Sequence, residues 1–165
     1  MSKLHMKKLA VTVAALGALA VGTDAAQAAN GSQQFNVNIN LTSVCTLGAV
    51  GPVAFAYTSL QGGAQAGTGG AFNVTCTNLL PYTFGLQAGT GAAVPPGTST
   101  ITVTDSAVNL QYTLGTSAAG GTGSGVSQSY NVTGNMPAAQ SGNCATGSCT
   151  NAAATNAVQT LILNY

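Results

Sequence analysis

The chain has 165 residues, of which only 3% are charged, three lysines and two acidic residues, and it has one histidine. Lys3, Lys7, Lys8, His5 and Asp24 all precede residue 29, so residues 29–165 carry one acidic side chain, Asp105, and no Lys, Arg, His or Glu. A basic surface for nucleic acid or anionic lipid cannot be built from that set, and neither can a general acid–base pair or an activated serine or cysteine nucleophile.

In chain order, the first element is a targeting segment. Lys3, Lys7 and Lys8 form a positive region, Leu9 to Val21 is an uncharged apolar run, and Ala26-Gln27-Ala28 is an A-x-A cleavage signal. This is the layout of a secretory signal peptide over residues 1–28, with cleavage between Ala28 and Ala29. No later apolar run has the length of a membrane span. The expected product is an exported protein of one domain, suited to an oxidising compartment.

From Gln34 the sequence alternates. Phe35, Val37, Ile39 and Leu41 are apolar, and Asn36, Asn38 and Asn40 stand between them. Period-2 alternation predicts strands. It returns at Phe72-Val74-Cys76, at Tyr82-Phe84-Leu86, at Ile101-Val103, over Val108-Leu110-Tyr112-Leu114, at Tyr130-Val132 and at Leu161-Leu163-Tyr165. The small-residue stretches 62–70, 117–125 and 141–155 read as loops. No helical period follows the signal peptide. The elements predict an all-β fold, an antiparallel sandwich or barrel.

Four cysteines in an exported chain allow three disulfide pairings. Parity favours one of them. Cys45 continues the face of Phe35 to Leu41 if that strand is unbroken, and Cys76 shares a face with Phe72 and Val74, so the two would meet in a core. Cys144 and Cys149 share a Gly/Asn/Ser loop and would close on each other. With no histidine after residue 28, the four make a poor zinc set. No metal or cofactor is expected. Asp105 alone is a weak Ca²⁺ ligand and reads as a solvated turn residue. Sequons at Asn40, Asn73 and Asn131 lie inside strand patterns and read as coincidence.

The run Phe72-Asn73-Val74-Thr75-Cys76-Thr77, followed by Pro81-Tyr82-Thr83-Phe84-Gly85-Leu86, resembles the spore coat protein U domain. Leu110-Gln111-Tyr112 and the closing Leu161-Ile162-Leu163-Asn164-Tyr165 extend the likeness. Gln34 to Thr46 is similar to the start of an archaic, Csu-type chaperone–usher pilin. The resemblance implies an incomplete immunoglobulin-like β-sandwich completed by a donor strand from a neighbouring subunit. It implies no enzyme but a pilus subunit for surface adhesion and biofilm formation.

The expected organisation is then a donor segment over 29–42, with Phe35, Val37, Ile39 and Leu41 as donor side chains, and a pilin domain over 43–165. Leu161, Leu163 and Tyr165 would edge the groove where a periplasmic chaperone binds before an outer-membrane usher exchanges it for the next subunit. Many relatives carry more charge and a Trp-Gly after the middle tyrosine; here Gly115 follows Leu114 and there is no Trp. The Cys144–Cys149 loop is a further departure. Other readings are a non-polymeric spore-coat or surface-matrix protein and a sugar-binding surface module.

Overall fold

The computed structural model of the protein describes residues 30–90 and 97–165. The proposed signal peptide, with Ala28 and Ala29 at its cleavage site, lies outside the described residues. Two units are distinguished, Met1–Ile39 and Asn40–Tyr165. In the first, residues 30–39 form neither strand nor helix and their side chains are exposed.

The second unit is an antiparallel all-β sandwich. Its strands are β1 (Cys45–Leu47), β2 (Val53–Ala54), β3 (Gln65–Ala66), β4 (Thr68–Gly69), β5 (Ala71–Cys76), β6 (Pro81–Ala88), β7 (Thr100–Thr104), β8 (Gln111–Thr116), β9 (Gly120–Thr122), β10 (Gln128–Met136) and β11 (Gln159–Asn164). One sheet runs β1-β5-β10-β8-β7, with β3 added to β10; the facing sheet runs β11-β6-β9; β2 and β4 form a small ribbon. This is an immunoglobulin-like sandwich.

The core follows the period-2 pattern. Phe72, Val74 and Cys76 of β5 are buried, as are Tyr82, Phe84 and Leu86 of β6, Val103, Tyr112, Leu114, Val132 and Met136. On β5, β7 and β10 the alternate residues face solvent, which is what a sheet with one packed face requires. The Phe72 and Phe84 rings meet edge-on at 5.1 Å, and Phe84 and Tyr130 at 4.8 Å, so aromatic side chains of both sheets interlock. Cys45 pairs with Cys76 across the β1–β5 ladder, and Cys144 pairs with Cys149.

Several expectations are corrected. The stretches 62–70 and 117–125 hold β3, β4 and β9 rather than loops alone. Glycine and threonine there extend because neighbouring strands supply ladder partners, not because of their own propensity. Val108 belongs to no strand. Asp105 Oδ1 accepts from the N–H groups of Ala107 and Val108, and Asn109 adopts φ 51°, so a turn replaces the first third of the expected strand. Phe35 to Leu41 is not laddered, and the first strand begins only at Cys45. Asp105 is not solvated; it is 3% exposed.

The register defines two poles. Cys45, Cys76, the start of β6 and the end of β11 share one pole, because Cys45 pairs with Cys76 and Asn164 with Thr83. The start of β8, the end of β7 and the start of β11 share the other, because Thr104 pairs with Gln111 and Gln159 with Ala88.

Candidate functional site: an open groove between the sheets

β11 is an edge strand. One side is laddered to β6, and among the described residues no strand pairs with the other. Beyond that open edge lies a groove of ≈ 700 Å³, walled on the far side by residues 50–57. Its floor is the interior of the sandwich, with Leu86, Tyr112, Leu114, Val132 and Met136 from three strands, β6, β8 and β10. A groove of this kind, with an apolar floor and beside an unpaired edge, is where a further strand adds.

The far wall is seated on glycines. A Cβ at Gly134 would lie 2.5 Å from Phe55 Cζ, and one at Gly67 would lie 2.7 Å from Val53 Cγ1. Phe55 and Val53 therefore occupy space that only glycine leaves free on β10 and between β3 and β4. Phe55 also packs its ring 5.7 Å from that of Tyr112. The Tyr57 hydroxyl accepts from the Gln140 N–H at 2.9 Å, pinning the end of the wall.

One end of the groove is polar. The Gln159 side-chain amide donates to the Tyr112 hydroxyl at 3.1 Å and to the Asn156 carbonyl at 2.7 Å, while its oxygen accepts from the Gly89 N–H. Burial raises the Tyr112 pKa above the usual tyrosine value; the Asp105 charge adds to this and the Gln159 bond opposes it. Asp105 lines the same end, together with Ser148, Cys149, Thr150 and Asn151 of the disulfide-tied loop.

Of the residues singled out from sequence, Leu161 lines the groove, and Leu163 packs half-buried against the core. Tyr165 is exposed. Ile162 is the buried residue of β11, packed toward Gly85 and Gly97 on the other face of its strand. Phe35, Val37, Ile39 and Leu41 are 85%, 70%, 86% and 75% exposed. Four large apolar side chains in sequence alternation, all facing water, form an exposed feature that usually marks an interaction segment. The wall residues Val53, Phe55 and Tyr57 escaped the sequence reading, although Val53-Ala54-Phe55-Ala56-Tyr57 is itself a period-2 alternation.

Among the described residues no group of three or more His, Cys, Asp or Glu could hold a metal ion, and no helix is long and apolar enough to cross a membrane. The sandwich, its two disulfides and its near-absence of charge define a structural domain of an extracytoplasmic kind. A family model of the Spore Coat Protein U domain matches residues 31–161. The chain belongs to that family, which includes Csu-type chaperone–usher pilins, and is thus a structural protein of the surface or pilus type. Neither a curated protein nor a solved structure matches it.

Proposed function

We propose that the protein is a pilus subunit that polymerises by donor-strand exchange. In this reading the segment Phe35 to Leu41 of one copy lies in the groove beside β11 of the next. The observation that carries it is the pairing of an unladdered, exposed apolar alternation with an open, apolar-floored groove in one chain. Burying four large apolar side chains contributes roughly 6–12 kcal/mol before costs. Ordering the free segment and immobilising a subunit offset part of that gain. Ladder bonds to the open edge of β11 add to it.

A groove left open in the periplasm would aggregate, so a chaperone covers it during export and an outer-membrane usher exchanges chaperone for subunit. Both partners, and the surface location of the fibre with its roles in adhesion and biofilm, rest on family likeness. The absence of charged side chains from residues 30–44 suits insertion, since a charged group entering an apolar groove is heavily penalised.

The test is hydrogen exchange on the mature chain before and after assembly. Backbone amides of residues 35–41 exchange freely in the monomer and become protected in the polymer. A polymer in which those amides stay unprotected indicates a surface-matrix protein that associates by another face.

A further inference from the structure

Asp105 has an unusual position for the sole carboxylate side chain of residues 29–165. It is 3% exposed and lines the polar end of the groove. Its Oδ1 accepts from the N–H groups of Ala107 at 2.9 Å and Val108 at 3.0 Å. Its Oδ2 is buried and has no hydrogen-bond partner in the protein. Residues 29–165 contain no Lys, Arg or His side chain that could pair with it. Buried oxygens of this kind are rare, and leaving one unmet is costly.

We propose that Asp105 Oδ2 receives a hydrogen bond from the strand inserted in the groove, and that the donor is the Ser43 hydroxyl of the neighbouring copy. The inference rests on the donor-strand reading above. Parity selects the candidates. Side chains that enter the groove share the odd-numbered face of Phe35, Val37, Ile39 and Leu41, and the nearest polar residues on that face are Gln33 and Ser43.

Polarity of the strand then chooses between them. Cys45, where the segment joins its own domain, is at the pole of the β11 C-terminus; Asp105 is at the opposite pole. In an open head-to-tail polymer the first pole of one copy faces the second pole of the next. The C-terminal end of the inserted segment then lies at the Asp105 pole, antiparallel to β11. At about 3.3 Å per residue, Phe35 to Leu41 spans about 20 Å, the same length as Gln159 to Tyr165. Ser43, two residues on, falls level with Ala157, which lines the groove with Asp105. Gln33 falls beyond the other end.

This gives the groove a register mark. Four apolar positions are filled by any greasy alternation, and a one-residue slip would turn the apolar face outward. A slip of two keeps the face inward but brings Gln33 or Ser43 to an apolar position, and the polar contact at Asp105 adds to the discrimination against it. The chemistry it demands of an occupant is a neutral O–H or N–H donor two residues beyond the last apolar side chain; a carboxylate there would be repelled.

The test uses fibres of the mature chain, with the rate of subunit loss in urea as the readout. Ser43→Thr keeps the hydroxyl and Ser43→Val removes it at equal volume, and both lie outside the packed core. Ser43→Val fibres are expected to dissociate at least tenfold faster than Ser43→Thr fibres, as for a bond to a charged group. Asp105→Ser keeps an acceptor for the turn while removing Oδ2, and in that background the Thr/Val difference is expected to vanish. Equal rates for Ser43→Thr and Ser43→Val in the Asp105 background overturn the inference. So does a difference that persists in Asp105→Ser. Fibres that still form after deletion of residues 29–41 instead sink the donor-strand reading itself.

Discussion

The hydroxyls of Tyr82 on β6 and Tyr130 on β10 lie 2.6 Å apart and join the two sheets of the sandwich. The Tyr82 hydroxyl also lies 3.0 Å from Gln128 Oε1, so Tyr82 donates to Gln128 and accepts from Tyr130. Burial, then the Tyr130 hydrogen bond and its charge, push the Tyr82 pKa up to about 12. An unfolded tyrosine ionises near 10. The folded state therefore holds its proton to higher pH than the unfolded state, and stability is lost as pH rises from about 10 towards 12. Alkaline unfolding of the mature chain should begin in that window, and Tyr82→Phe should flatten the slope there. Circular dichroism against pH checks this; a slope unchanged by Tyr82→Phe would count against it.

The Cys45–Cys76 bridge closes a loop with a sequence separation of 31, and Cys144–Cys149 one with a separation of 5. In the chain-entropy picture the first contributes roughly 3–4 kcal/mol and the second roughly 2 kcal/mol. Replacing Cys45 and Cys76 together by alanine should shift the urea midpoint more than replacing Cys144 and Cys149. The second pair's loss should instead loosen residues 148–151, which line one end of the groove. Urea melts of the two double variants measure the difference.

Gly134→Ala tests the groove wall. Its methyl group would fall on the Phe55 ring, which has to move. Overpacking of this kind costs about 1–3 kcal/mol. Because Phe55 is part of the wall, polymerisation should slow more than the monomer's stability alone accounts for. Assembly rate by light scattering, set against a thermal melt of the monomer, separates the two.

Much of this architecture was legible in the sequence, and the reason is particular to its strands. Phe72-Val74-Cys76 and Tyr82-Phe84-Leu86 bury one face and expose the other, so period 2 marks them directly. The disulfide pairing followed from the same parity, although the unbroken strand assumed between Phe35 and Cys45 is absent. β3, β4 and β9 were hidden because Gln65-Ala66, Thr68-Gly69 and Gly120-Gly121-Thr122 carry no large apolar side chain; they are strands through their partners. The burial of Asp105 had no local signal either, since it depends on how the β7–β8 turn meets the start of β11. The groove itself is a relationship between β11 and residues 50–57, far apart in the chain.

Charging the inserted face should block assembly without harming the domain. Ile39→Asp places a carboxylate where an apolar side chain enters the groove, at a position exposed in the monomer. The monomer's melting temperature should be unchanged, and fibre formation should fall below detection by electron microscopy. Normal fibres from Ile39→Asp would show that this side chain does not enter an apolar site.

The most direct measurement is assembly of the mature chain lacking residues 29–41, which leaves Cys45 and the whole sandwich in place. The account predicts a folded monomer that forms no polymer by itself and that a synthetic peptide of residues 30–44 binds at its groove. Polymers of ordinary length from the truncated chain would contradict it.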